Sequence, residues 1–181
     1  MAYHHPGIPS SAHISGHPIH PMLIPFPIAY LVGALVTDLA YLGSENEFWA
    51  IASLWLLRAG VVMGIIAAIF GAVDFFSRSA IREHRVAWHH SVGNSIVLIL
   101  ALINLFLRNE APVDDLTAGP VTLSFLTAAI LLYTGWQGGE LAYRYHVGSI
   151  PESTPGYATA RAPSGSERRA GPDDRRGHPA M

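Results

Sequence analysis

Four long apolar segments restrict the folds that this sequence can adopt. They cover approximately residues 22–42, 48–76, 86–107 and 120–142. A helix needs about 20 mostly apolar residues to cross the roughly 30 Å hydrocarbon core of a bilayer, and each segment is long enough. Half of the 181 residues are hydrophobic and only 13% are charged, as is typical of integral membrane proteins. The sequence therefore predicts an all-α membrane protein with four transmembrane helices.

The connections between the four segments are short, which predicts a four-helix bundle with up-down-up-down topology. We expect three parts: a flexible N-terminal segment at 1–15, a transmembrane domain at 16–150 and a disordered C-terminal tail at 151–181. The tail is rich in Pro, Gly, Ser and Arg and has no apolar periodicity. Such a segment cannot bury enough apolar surface to fold by itself.

The distribution of arginine predicts the orientation in the membrane. Arg78, Arg82, Arg85 and Arg144 lie at the end of the bundle that carries both termini, whereas Arg108 lies near the opposite end. Short loops rich in Lys and Arg stay on the cytoplasmic side. We therefore expect a multi-pass protein of the bacterial inner membrane with both termini in the cytoplasm.

The composition excludes several kinds of chemistry. The chain has no cysteine, so it offers no disulfide, no thiolate zinc site and no ligand for an iron–sulfur cluster. Any metal must be bound by histidine or carboxylate side chains. The first twenty residues contain no Lys or Arg and no apolar core, unlike a secretory signal. We expect the first apolar segment to remain in the mature protein as a helix.

Two histidines, His17 and His20, stand immediately before the first apolar segment, and each precedes a proline. Proline disfavours the α conformation in the residue before it, so we expect both histidines in extended or turn backbone. Pro25 and Pro27 lie further along, inside the length needed to cross the membrane. Because proline lacks a backbone N–H, the first helix should begin with a kinked turn.

The topology places six histidines at one end of the bundle. These are His17, His20, His84, His89, His90 and His146, and the carboxylates Asp74 and Glu140 belong to the same layer. Clustered imidazoles can bind haem iron or a transition metal, and carboxylates can orient them. The residues alone leave three interpretations open: a redox or metal site, decoration of the membrane interface, and a proton-handling site.

Helices one and three of an antiparallel bundle commonly lie on a diagonal, so His20 and His90 are expected to face each other across the bundle. A b-type haem with two axial histidines suits this arrangement. His20 and His90 are therefore the predicted metal ligands, and His17 is the alternative ligand.

Two further features concern the bundle interior. Asp38 in the first segment and Arg58 in the second lie at depths that differ by about 7 Å at 1.5 Å per residue, which predicts a buried ion pair. Gly60, Gly64 and Gly71 recur on one face of the second segment, which predicts close helix packing.

Four motifs carry a resemblance to a known family. They are Gly16-His17-Pro18-Ile19-His20-Pro21, continuing to Ile28, then Gly71-Ala72-Val73-Asp74-Phe75, His90-Ser91-Val92-Gly93-Asn94 and Gly135-Trp136-Gln137-Gly138-Gly139-Glu140-Leu141. Over about residues 16–150 the sequence resembles a family of bacterial four-span membrane proteins known as a domain of unknown function. Some relatives in that family are fused to Rieske-type iron–sulfur domains, which implies electron transfer in the membrane.

The resemblance also indicates which positions form a site. Matching the motifs marks His17, His20, Asp74, His90 and Glu140 as cofactor-binding candidates. His146 is a further candidate, although it stands in Tyr-Arg-Tyr-His-Val-Gly where the family resembles Tyr-Arg-His-Gly-Val-Gly.

The functional hypothesis is a membrane redox subunit with haem b, and no enzyme activity is assigned. The alternative is a non-catalytic membrane scaffold or a small transporter that handles a metal ion or protons. We expect the lipid bilayer and a separate redox or iron–sulfur protein as partners, and no nucleic acid. The sequence leaves the oligomeric state open.

Overall fold

The computed structural model describes residues 7–108, 111 and 113–148. The predicted C-terminal tail at 151–181 and the first part of the predicted N-terminal segment, residues 1–6, lie outside the described residues. Four helical spans are long and apolar enough to cross a membrane: Ile19–Ser44, Glu47–Ser77, Arg85–Leu107 and Ala118–Arg144. The prediction of an all-α, four-span membrane protein is confirmed.

The described residues form two short strands, six helices and one π-helical turn. In chain order these are β1 His13–Ile14, β2 His17–Pro18, α1 Ile19–Leu23, α2 Pro25–Ser44, α3 Glu47–Ser77, α4 Ser79–Arg82, α5 Arg85–Leu107, α6 Ala118–Gly139 and the π-helical turn Glu140–Arg144. Strands β1 and β2 pair antiparallel, with His13 opposite Pro18.

The helix of the first span is interrupted for one residue at the place where the sequence predicts a kink. Helix α1 ends at Leu23, Ile24 lies between the helices, and Pro25 opens α2. The backbone bonds of Ile24 N–H to His20 O and of Ile28 N–H to Ile24 O continue through this break at 3.2 and 3.3 Å. Pro25 is tolerated because the first turn of a helix needs no internal N–H donor.

His17 lies in strand β2, as predicted, but the prediction of non-helical backbone for His20 is wrong because His20 lies in α1. The imidazole of His20 hydrogen-bonds to the carbonyl of Ala67 in α3 at 2.7 Å. This tertiary contact outweighs the weak local preference that Pro21 imposes on the residue before it.

The four spans form a bundle in which α2 packs against α3 and α6, and α5 packs against the same two helices. Helices α2 and α5 therefore lie on one diagonal. The middle of the bundle is an apolar core built from all four spans, with the buried residues Leu31, Ala34, Leu57, Val61, Val97, Ala101 and Leu131. Large apolar side chains such as Trp55, Phe106 and Leu132 are exposed on the outside, where lipid would contact them.

The small-residue face of α3 packs closely, as predicted. An added Cβ at Gly60 would lie 2.7 Å from Leu31, and one at Gly64 would lie 2.7 Å from Leu98. Both distances are too short for a side chain, so these glycines allow α3 to approach its neighbours.

The first and last described residues of the chain meet at one end of the bundle. Ile8 and Val147 form a parallel bridge, in which Gly148 N–H donates to Ile8 O at 2.7 Å. A second apolar cluster lies beneath this bridge, with the buried residues Phe75, Ile81, Ala87 and Leu141. The sequence predicts a loose segment at 1–15, whereas Pro9, Ser10 and Ala12 are buried against the bundle.

A buried ion pair joins Asp38 to Arg108, and the predicted pairing of Asp38 with Arg58 is wrong. Arg108 Nη1 lies 3.0 Å from Asp38 Oδ1, and both side chains are fully buried. The guanidinium of Arg58 lies over the ring of Trp55, 5.2 Å from its centre. Depth along the helices matched Asp38 with Arg58, but Arg108, which directly follows α5, has its side chain in the interior of the bundle.

Candidate functional site

Two of the predicted site residues, His20 and His90, meet inside the bundle. Their ring centres are 6.2 Å apart and their planes are nearly perpendicular, at 87°. His20 comes from α1 at the start of the first span, and His90 comes from the first part of α5. The diagonal placement of the first and third spans brings them together, as the sequence predicts. We call them the histidine pair.

A backbone carbonyl on a neighbouring helix orients each ring. His20 Nδ1 lies 2.7 Å from Ala67 O on α3, and His90 Nδ1 lies 2.9 Å from Thr134 O on α6. A carbonyl oxygen only accepts hydrogen bonds, so each Nδ1 carries the hydrogen and donates it. In a neutral imidazole with this tautomer, Nε2 keeps a lone pair that can bind a metal or a proton.

A glycine lies against each ring, four residues after the carbonyl that orients it. A Cβ added at Gly71 would lie 2.8 Å from Cε1 of His20, and one added at Gly138 would lie 3.0 Å from Cε1 of His90. The turn of α3 from Ala67 to Gly71 thus contacts the ring of His20, and the turn of α6 from Thr134 to Gly138 contacts the ring of His90 in the same way.

The polar surroundings of His90 come from its own helix and from α6. Asn94 Nδ2 donates to His90 O at 2.8 Å and lies 3.3 Å from both ring nitrogens. Thr134 Oγ1 donates to Asn94 Oδ1 at 3.3 Å. The sequence places Asn94 on the same helix face as His90, but nothing in it indicates that Thr134 is the partner of both.

Asp74 binds the N-terminal segment. Its carboxylate accepts hydrogen bonds from Ser10 Oγ at 2.8 and 2.9 Å, from Ser11 N–H at 2.6 Å and from Ala12 N–H at 3.0 Å. Arg78 Nε donates to Ser11 Oγ at 2.7 Å. Asp74 lies three residues after Gly71, so it fixes residues 10–12 over the end of the bundle that contains the histidine pair.

The other histidines of this end have different surroundings. His17 is exposed, and its Nδ1 lies 3.1 Å from Ser15 O. The ring of His84 stacks at 4.3 Å on Tyr145, and His89 Nδ1 lies 3.2 Å from the hydroxyl of Tyr133. Ring contact between two histidines is found, among the described residues, only in the histidine pair.

His146 and Glu140 follow the last span. His146 has a left-handed backbone with φ of 52°, and its carbonyl accepts a hydrogen bond from Ile8 N–H at 3.2 Å. Glu140 pairs with Arg144 at 3.2 Å on the surface of the π-helical turn. The assignment of these two residues, and of His17 and Asp74, to a cofactor site stays a prediction.

A second polar pair lies at the opposite end of the first and third spans. Asp38 follows His20 by 18 residues, and Arg108 follows His90 by the same number. Eighteen residues correspond to about 27 Å of helix, so the ion pair lies roughly that far from the histidine pair along the bundle.

The histidine pair contributes two imidazole side chains, and no group of three or more His, Cys, Asp or Glu side chains that could hold a metal ion occurs within the described residues. The site thus offers two half-buried imidazole rings, each oriented by a backbone carbonyl.

Four spans with an apolar outer surface define this chain as an integral membrane protein. Residues 16–151 match the family described as predicted membrane protein (DUF2231), and the chain belongs to this family. The family resemblance read from the four motifs is confirmed. No curated protein and no solved structure matches the chain.

Proposed function

We propose that this protein is an electron-transfer subunit of the membrane in which His20 and His90 would hold a b-type haem. The histidine pair is the observation that carries the proposal. A haem supplies four nitrogen ligands from its porphyrin and commonly takes the remaining two from protein side chains. When bound, it would supply one-electron transfer within the bilayer.

The separation of the two rings suits this role. Two imidazoles that bind one metal ion from opposite sides, each at about 2 Å, have ring centres roughly 6 Å apart. The ring centres of His20 and His90 are 6.2 Å apart. The carbonyls of Ala67 and Thr134 engage both Nδ1 atoms, which leaves Nε2 of each neutral ring as the ligand atom.

Other residues of the site orient the two histidines and restrict the access of water to them. Metal-binding histidines usually donate their other N–H to a carbonyl or carboxylate, which fixes the ring and raises its basicity. Ala67 O and Thr134 O have this position. The segment held by Asp74 covers the same end of the bundle, so it would restrict the access of water to the pair.

A haem in this position would give the purified protein a visible absorption spectrum. Protein produced in haem-replete cells is expected to show a Soret band that shifts on reduction with dithionite. The His90→Ala variant should lose this band, because one axial ligand is missing. His89→Ala is the matched control, since His89 is the adjacent histidine and contacts Tyr133 instead, and it should keep the band.

A colourless preparation with no extractable haem would contradict the proposal. Stoichiometric zinc, copper or iron without porphyrin would instead favour the alternative function, a metal-handling transporter. Protein with neither metal nor haem would favour a scaffold. Because the family resemblance includes fusions to Rieske-type domains, we propose a separate redox or iron–sulfur protein as the electron partner.

We further propose a location in the bacterial inner membrane with both termini in the cytoplasm. The arginines Arg78, Arg82, Arg85 and Arg144 at the terminal end of the bundle support this orientation. A reporter active only in the periplasm is expected to be silent when fused after residue 150 and active when fused after Arg108. An active fusion at residue 150 would show that the orientation of the bundle is the opposite one and that the histidine pair lies on the periplasmic side.

A further inference from the structure

A cluster of buried polar side chains lies at the end of the bundle opposite the histidine pair. All four spans contribute to it, and each side chain is at most 3% exposed: Asp38, Ser53, Asn104, Arg108, Ser124 and Thr127. We call this set the Asp38 layer. Polar and charged groups are costly inside a membrane bundle and usually have a function there.

Hydrogen bonds within the Asp38 layer satisfy part of its polar groups. Arg108 Nη1 and the hydroxyl of Ser53 both donate to Oδ1 of Asp38, the first at 3.0 Å. Ser53 also bonds to the carbonyl of Ala34 at 3.0 Å. Asn104 Nδ2 donates to Ser124 Oγ at 2.8 Å.

Five buried atoms of this layer have no hydrogen-bond partner among the described residues. They are Asp38 Oδ2, Asn104 Oδ1, Arg108 Nε, Arg108 Nη2 and Thr127 Oγ1. A buried polar atom without a partner costs roughly 1–3 kcal/mol, and native proteins pair nearly all of them with protein or water. Five such atoms at one end of the bundle are available to a small ligand or to water that can form hydrogen bonds.

The unpaired atoms determine what this ligand can be. Arg108 Nε and Nη2 require acceptors, whereas Asp38 Oδ2 and Asn104 Oδ1 require donors. An anion would accept hydrogen bonds from Nε and Nη2 of Arg108 but would be repelled by Asp38 Oδ2. A cation would satisfy the carboxylate but would be repelled by Arg108. A small neutral molecule that both donates and accepts hydrogen bonds would satisfy both sets of atoms.

We propose that the Asp38 layer is an internal hydration site in which a cluster of bound waters joins Arg108, Asp38, Asn104 and Thr127. Buried waters typically make about three hydrogen bonds to polar groups that lack other partners. Two or three waters would complete the five unpaired atoms. The proposal is independent of haem binding at the histidine pair.

The position of the layer indicates the side from which water enters. Asp38 lies six residues before the end of α2, and Ser53 and Ser124 lie six residues after the first residues of α3 and α6. Six residues correspond to about 9 Å of helix. The apolar core that includes Leu31 and Leu131 lies between this layer and the histidine pair. Water therefore exchanges with the membrane surface opposite the chain termini.

The Thr127→Val variant tests the proposal by whether it lowers or raises Tm. The change keeps the shape of the side chain and replaces its hydroxyl, which has no partner within the described part of the chain, with a methyl group. If Thr127 binds water, the variant should lower Tm by about 2–4 °C, because the water loses a partner. Thr122→Val is the control on the same helix at an exposed position, and its Tm should change little.

A rise in Tm for Thr127→Val would overturn the proposal, because it would show that the hydroxyl was buried without any partner. NMR provides a second measurement on the unaltered protein in detergent or lipid. With ¹⁵N-labelled arginine, magnetisation is expected to pass from water to the Nε–H of Arg108, and Arg108→Lys assigns that signal by its loss. Absence of this transfer would equally overturn the proposal.

Discussion

Replacing Arg108 with leucine is expected to lower the free energy of unfolding by about 3–5 kcal/mol, because it leaves the carboxylate of Asp38 buried without its cation. Both side chains of this pair are 0% exposed and lie in a helix bundle where no bulk water replaces the lost partner. Thermal or denaturant unfolding in mild detergent measures the change.

Two further variants separate the loss of the ion pair from other effects. Arg144 also pairs with a carboxylate, Glu140, but its side chain is 71% exposed, so Arg144→Leu should cost no more than about 1 kcal/mol. The double variant Asp38→Leu with Arg108→Leu should recover much of the stability, because it removes the uncompensated charge. If Arg108→Leu lowered the free energy of unfolding as little as Arg144→Leu, the ion pair would not be buried in the folded protein.

Hydropathy predicted the spans because the membrane imposes one simple requirement, a long apolar helix. The first predicted span, 22–42, lies within the observed Ile19–Ser44, and the third, 86–107, differs from Arg85–Leu107 by one residue. The interruption at the start of the first span was also predictable, since Pro25 and Pro27 cannot donate backbone hydrogen bonds.

The histidine pair was predictable from topology, but its hydrogen bonds were not. Four antiparallel spans place the first and third on a diagonal, and that alone brings His20 towards His90. The partners of the rings are the backbone carbonyls of Ala67 and Thr134. Every residue has a carbonyl, so no side-chain motif marks the one that a histidine will reach.

The incorrect prediction of the partner of Asp38 shows what the separation of residues along the sequence does not reveal. Counting residues gives the depth of a side chain in the membrane, and both Arg58 and Arg108 lie near the depth of Asp38. It does not give the direction in which the side chain points around its helix. Arg108 points into the bundle and reaches Asp38 at 3.0 Å, whereas the guanidinium of Arg58 lies over Trp55.

Asp74 illustrates a related limit. Its place beside a histidine layer suggested a role in binding a cofactor, while its carboxylate accepts hydrogen bonds from Ser10, Ser11 and Ala12. These residues are more than sixty positions away along the chain, in a polar segment with no apolar pattern. Backbone amides that converge on one carboxylate leave no signature in a sequence.

Adding a methyl group at Gly71 is expected to displace the ring of His20 and to disrupt the histidine pair. A Cβ at this position would lie 2.8, 3.0 and 3.3 Å from three atoms of the imidazole. The ring cannot move away freely, because its Nδ1 is bonded to Ala67 O one turn earlier on the same helix. Overpacking of this kind costs about 1–3 kcal/mol, which exceeds the gain of up to about 1 kcal/mol from replacing glycine by alanine within a helix. Gly71→Ala should therefore lower Tm.

The matching variant on α6, Gly138→Ala, should act on His90 in the same way, because a Cβ there would lie 3.0 Å from the ring. Gly135→Ala, less than one turn away on α6, is the control, since nothing lies within 4 Å of a Cβ at that position. It should leave Tm unchanged or raise it. NMR of ¹⁵N-labelled histidine should show the hydrogen-bonded Nδ1–H of His20 in the parent protein and in Gly135→Ala, but not in Gly71→Ala. If Gly71→Ala kept both this signal and the parent Tm, then the ring of His20 would not lie against α3, and the histidine pair would not have the geometry described above.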